Sequence, residues 1–297
     1  MTRIRRTASG KRRALRRLIS RPSLLVAPGI YDALGARIAE RTGHEVAYLT
    51  GNGVSASLLG QPDVGLLTMT EVVDHARRVA AAVDIPLISD ADTGYGNALN
   101  AVRTVQQFEA AGVAGIHLED QVTPKRCGHL AGARAVVPLD EMLGKLEAAL
   151  WARTDPDFVI IARTDCYAGQ GMEEAIRRAR AFADVGADVV FVHLPGSREE
   201  LRRLAESVDA PLMLNMDEAG QASQFTAREI EQMGYRIAIY PGAVRYTVAW
   251  AVDRVLRELK EKGTTRDLRS QMASFSEYNE ILRLDAIQEL EARFLRR

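Results

Sequence analysis

Cysteine is nearly absent: Cys127 and Cys166 are the only two in 297 residues. Two thiols cannot build a disulfide framework, and their scarcity fits a reducing compartment. Long apolar runs are missing too, none approaching the roughly 20 residues of a membrane span. Surplus charge is the third absence, since 39 Lys and Arg balance 39 Asp and Glu. A nucleic-acid binder normally carries a basic excess, so that class is disfavoured. What remains is a soluble, cytoplasmic protein with no membrane or nucleic-acid partner. At 47% hydrophobic residues it has ample material for a core.

Acidic residues are missing from one segment, "MTRIRRTASGKRRALRRLISR" (1–21). Such a stretch suits an organelle transit peptide or a nucleic-acid arm. The composition favours a solvated amphipathic helix, with Ile4, Leu15, Leu18 and Ile19 as a modest apolar face.

What is present is a regular alternation. Eight aliphatic runs, "LLVAP" (24–28), "VAYLT" (46–50), "PLISD" (86–90), "GIHLED" (115–120), "FVIIARTD" (158–165), "DVVFVHL" (188–194), "PLMLN" (211–215) and "RIAIYPG" (236–242), are each followed by a helical pattern. Continuously apolar strands are expected where a parallel sheet is covered on both faces. Eight such units in about 250 residues predict a TIM (β/α)8 barrel. A doubly wound sheet would place a glycine-rich phosphate turn after its first strand, and "APGIYD" lacks one. The organisation expected is a basic helix over 1–22, the barrel over 23–262, and a helical extension over 263–297 that packs against another subunit.

Barrel active sites form at the C-terminal ends of the strands. That frame gathers Asp90, Asp92 and Glu119 at one mouth. Three carboxylates together repel one another unless a cation lies between them, and oxygen-only donors suit Mg2+ or Mn2+. Capping of the next helix, or pairing with Arg163, is the alternative. Arg163 closes strand five, where it can clamp a substrate carboxylate or pair with the acids of the site. In "EDQVTPKRCGHL" (119–130), Cys127 lies near Lys125, Arg126 and His129. Cations there would stabilise a thiolate and support acid–base work. Cys166, His44, His75 and His117 read as structural. The glycine pairs in "TGNG" and "GYGN" read as tight turns rather than phosphate cradles.

"PGIYDALGARIAE", "LGQPDVGLLT", "DADTGYGN", "EDQVTPKRCGH" and "ARTD" closely resemble the isocitrate lyase and phosphoenolpyruvate mutase superfamily, nearest its methylisocitrate lyase (2-alkylmalate lyase) branch. The resemblance spans residue 10 to the C-terminal helix, so it includes the basic helix and weakens the transit-peptide reading. It implies a barrel with a swapped terminal helix, a homotetramer, and Mg2+. Asp90 would touch the metal, with Asp92, Glu119 and Asp63 acting through water. Tyr48, Thr50, Gly51 and Asn52 would contact the 2-oxo or 2-hydroxy acid, and Arg163 its carboxylate. Cys127 would protonate the carbanion released on cleavage, within a loop that also supplies Lys125, Arg126, Gly128 and His129. The base would be Tyr48, or Asp63 with metal-bound water.

The sequence also departs from that branch. His193 stands where a glutamate is usual, and Asn215 is followed by Asp217 in place of a hydroxyl residue. An aspartate facing a substrate carboxylate repels it, unless a protonated His193 cancels the charge. The expectation is therefore a Mg2+-dependent carbon–carbon lyase acting on a small carboxylic acid and releasing a 2-oxo acid such as pyruvate. The alternatives are an oxaloacetate hydrolase or decarboxylase, a phosphonomutase, or a silent binding protein.

Overall fold

The computed structural model describes residues 6–128, 130, 134–193 and 196–295. Eight parallel strands close a barrel in chain order: β1 (Leu25–Ile30), β2 (Ala47–Leu49), β3 (Leu87–Asp90), β4 (Gly115–Glu119), β5 (Val159–Thr164), β6 (Val189–Val192), β7 (Leu212–Asn215) and β8 (Ile237–Tyr240). The barrel helices are α2 (Ala33–Arg41), α3 (Gly51–Leu59), α4 (Met69–Ala82), α5 (Ala98–Ala110), α6 (Leu139–Ala152), α7 (Tyr167–Asp184), α8 (Arg198–Ser207), α9 (Ala227–Gln232) and α10 (Ala243–Lys262). Several start where the sequence supplies a cap. Thr68, Ser197 and Thr226 each accept from the third helical N–H, and a glutamate there reaches back.

Strand side chains alternate between two cores, as their period of two requires. Val159 and Ile161 of β5 face the barrel interior with Ile88, Phe191 and Met213. Ile160 and Ala162 face the helices with Val190, Leu212 and Leu214. The interior is thus packed with side chains, and the site lies above it.

The basic segment is not a solvated helix. Helix α1 (Ala8–Ile19) inserts Leu15, Leu18 and Ile19 among the interior residues of the strands and closes the bottom of the barrel. Its cations are taken up there as well. Lys11 Nζ donates to Ala80 O (2.6 Å), Arg12 Nη1 to Asp155 (3.0 Å) and Arg16 Nη1 to Asp188 (2.6 Å). Ala80 lies in the last turn of α4, where carbonyls are left unpaired and the helix dipole favours positive charge. Ile4 lies outside the described residues. The loop expected after β2 is instead a helix, α3, capped by Thr50.

The C-terminal extension forms α11 (Phe275–Leu282) and α12 (Leu284–Phe294). None of the 20 residues of α10 is buried, and Trp250 is 61% exposed. No helix among the described residues is long and apolar enough to cross a membrane.

Leu15 is fully buried at the barrel floor. Leu15→Ala therefore lowers unfolding stability by about 2–5 kcal/mol, the usual range for emptying such a site. Denaturant unfolding of the two proteins measures this, and equal midpoints would contradict α1 as part of the core.

Candidate active site

Inward-facing positions continue past the ends of the strands and change from apolar to polar. Ile88 is followed at that register by Asp90, Ile161 by Arg163, Phe191 by His193 and Met213 by Asn215. On β4 the same parity selects His117 and Glu119. The pocket so formed is lined by Tyr48, Thr50, Asn52, Asp63, Asp90 and Arg163 on one side. Lys125, Arg126, Cys127, Gly128, His193, Asn215 and Asp217 complete it. Gly51 belongs there too, because a Cβ on it would fall 2.6 Å from Asp90 Oδ2.

Two buried cations organise the acids. Lys125 Nζ bridges Asp63 (2.6 Å) and Asp92 (2.8 Å). Arg163 binds Asp165 through two N–H groups (2.7 and 2.9 Å), meets Glu119 at 3.0 Å, and lies over the Phe191 ring. It is thus a structural ion pair that also faces the pocket. Five acids, Asp63, Asp90, Asp92, Glu119 and Asp165, are buried beside Lys125 and Arg163, so negative charge is in excess. Burial, reinforced by Asp90 and Asp63, lifts Asp92 to about 7 against the pull of Lys125. Burial likewise holds Glu119 well above the carboxylate range, and neither of its oxygens has a hydrogen-bond partner among the described residues. Asp90 goes the other way. Burial opposes its ionisation, but His117, Lys125, Arg163 and the Asp92 N–H prevail and keep it below the usual range.

This donor set fits a hydrated Mg2+. Among the described residues no three acids, thiols or imidazoles converge tightly enough to ligate a metal together. Mg2+ takes oxygen donors and keeps several of its waters, so few direct carboxylates would be needed. Asp90, kept ionised by its neighbours, would be a carboxylate able to hold such an ion.

His117 is not merely structural. Its Nε2 shares a 2.8 Å hydrogen bond with the Tyr48 hydroxyl and lies 3.5 Å from Asp90. Burial drops it to about 4, so the imidazole is neutral, and the Tyr48 phenol is pushed well up by burial and by Asp90.

The Cys127 loop is tied down at several points. Cys127 N donates to Asp63 O (2.9 Å), and Gln121 brackets Arg126 through both halves of its amide (2.9 and 3.0 Å). Arg134 Nη2 reaches the carbonyls of Cys127 (3.4 Å), Leu130 (3.2 Å) and Gly128. A Cβ on Gly128 would run into His193. His129 lies outside the described residues. Cys166 is buried, its thiol pushed up by burial to about 11, as befits a structural cysteine.

At the far end of the pocket Asp217 does not stand as a bare charge. Arg245, from the first turn of α10, donates to it at 2.7 Å, and Tyr246 OH donates at 3.4 Å. The cation that balances Asp217 is Arg245, which sequence reasoning missed. Its only signal was position, three residues after "YPG" in the loop that closes β8.

A family model described as phosphoenolpyruvate phosphomutase matches residues 15–260. The chain is 45% identical over 277 residues to 2,3-dimethylmalate lyase of Eubacterium barkeri, covering 93% of this chain and 96% of that one. Its structure is similar to that of oxaloacetate acetylhydrolase bound to 3,3-difluorooxalacetate, with a TM-score of 0.89, 37% identity and 97% of each chain covered. It is also similar to phosphonopyruvate hydrolase complexed with oxalate and Mg2+, with a TM-score of 0.88, 33% identity, and 96% and 99% coverage of this chain and that one.

Asp90→Ala should weaken Mg2+ binding, read by calorimetric titration, and abolish turnover while leaving the circular dichroism of the barrel intact. Wild-type Mg2+ affinity in this variant would remove Asp90 from the metal site.

Proposed function

The chain belongs to the phosphoenolpyruvate mutase and isocitrate lyase superfamily as a carbon–carbon lyase, and we propose that its substrate is a 2-alkylmalate-type 2-hydroxy acid. Cleavage would yield a 2-oxo acid such as pyruvate and a short carboxylic acid. The observation that carries this reading is a thiol, Cys127, in the wall of the same pocket as the acids and Arg163.

The substrate's C1 carboxylate lies at the N-terminus of α3, where the N–H groups of Gly51 and Asn52 have no intrahelical acceptor, and against Arg163. Bound Mg2+ would supply Lewis-acid stabilisation of negative charge on the substrate oxygens. The substrate hydroxyl proton leaves through Tyr48 to the neutral His117 behind it, or to Asp63. The pair of electrons from the broken C–C bond passes to the other fragment, whose carbon takes the Cys127 proton.

At the distal end Asp217 and Arg245 balance each other, so the pair offers a further carboxylate no net attraction. Dimethylmalate, the substrate named for the 45% identical relative, puts only a methyl there. A second reading, hydrolysis of oxaloacetate, rests on the likeness to the acetylhydrolase structure. The apolar residues left bare on α10, Trp250 and Leu256 among them, support a helix-swapped homotetramer.

Cys127→Ser should cut alkylmalate turnover by about a hundredfold or more, the contribution of a lost general acid, with substrate binding retained. Near-wild-type rates would remove Cys127 as the proton donor. In steady-state assays kcat/KM for 2-alkylmalates should exceed that for methylisocitrate. Asp217→Thr should narrow the gap by about tenfold, since it frees Arg245 for a third carboxylate. A wild-type preference for methylisocitrate would overturn the substrate assignment.

A further inference from the structure

Arg245 does more than balance Asp217. Its guanidinium makes four contacts: Nε donates to Pro241 O (3.3 Å), Nη1 to Asn52 Oδ1 (2.6 Å), and Nη2 to Asp217 Oδ2 (2.7 Å) and Tyr246 OH (2.9 Å). A guanidinium only donates, so the face of the Asn52 amide turned toward it must be the oxygen. The amide nitrogen is then obliged to point the other way, and it meets Cys127 Sγ at 3.5 Å.

We propose that Arg245 is a positioning residue for Cys127. By holding the Asn52 oxygen it fixes the orientation of an amide that otherwise flips between two nearly equivalent states, and so keeps an N–H donor on the sulfur. Such a donor holds the sulfur in one place. Asp217 serves in turn as the anchor of the guanidinium. The relay runs from Asp217 through Arg245 and Asn52 to Cys127, and it ties the thiol to the first turn of α10, a helix with no buried residue of its own. This deepens the lyase reading, because the thiol it positions is the proton donor of that reading. The geometry itself needs no substrate.

The test uses iodoacetamide alkylation of the full-length chain at a fixed near-neutral pH, without substrate, followed by mass spectrometry of the Cys127 peptide. Arg245→Met should slow alkylation of Cys127 about three- to tenfold, as expected for one hydrogen bond to a charged group. Because Arg245→Met strands a buried carboxylate, Arg245→Met with Asp217→Asn is measured beside it and should show the same slowing. The buried Cys166 should remain unmodified throughout, which reports an intact core. Asn52→Ala should slow alkylation by a similar factor, and combining it with Arg245→Met should add little. Unchanged or faster alkylation in both Arg245 variants would overturn the proposal, as would fully additive effects of Asn52→Ala and Arg245→Met. Slowed alkylation in a protein that does not cleave alkylmalates would keep the relay and sink the lyase substrate instead.

Discussion

Lys125 and Arg163 stand among five buried carboxylates, and the arrangement of the barrel mouth follows from that imbalance. Each cation is shared: Lys125 holds Asp63 to Asp92, and Arg163 holds Glu119 to Asp165. Like charges so close in a low-dielectric setting must take up protons or another cation, which explains why Asp92 and Glu119 are driven upward while Asp90 stays ionised. The same bridges set the course of the loop after β4. Lys125 is drawn inward to the acids, and two residues later Cys127 is pinned by its N–H to the Asp63 carbonyl. The thiol is thus delivered to the pocket by the same electrostatics that hold the acids together.

The far end of the pocket follows a different logic. There Asp217 is paired with Arg245 and also accepts from Tyr246 OH. On the proposed reading, the charged end would hold the 2-oxo acid half and the Asp217–Arg245 end would face the alkyl group. The chain shares family and fold with relatives of several named activities.

Much of this was legible before folding. Eight aliphatic runs of five to eight residues, each followed by a helical pattern, can hardly close except as a barrel, and the ends of those runs hold the polar residues that line the pocket. The misreadings have physical causes. His117 was taken for a core residue because it sits mid-strand, yet it shares the inward parity of Glu119, and counting by twos from Glu119 would have found it. Helix α3 was hidden by its glycines, which a propensity reading counts as breakers. Gly51 and Gly53 are there because Asp90 and Tyr31 leave no room for a Cβ. The basic segment looked solvated because eight arginines and one lysine in residues 1–21 advertise water. Their partners are loop carboxylates and helix-end carbonyls that no local window contains. Arg245 was invisible for the same reason, its partners Asn52 and Asp217 being 193 and 28 residues away.

The central claim is that a C–C bond breaks and a protein thiol returns one proton to the fragment that leaves with the electron pair. Turnover of 2,3-dimethylmalate in D2O, followed by NMR, tests it most directly. The account predicts pyruvate together with propionate carrying a single deuteron at C2 in one configuration, because the proton arrives from one fixed face. Propionate labelled equally in both configurations, or no cleavage in the presence of Mg2+, would contradict it.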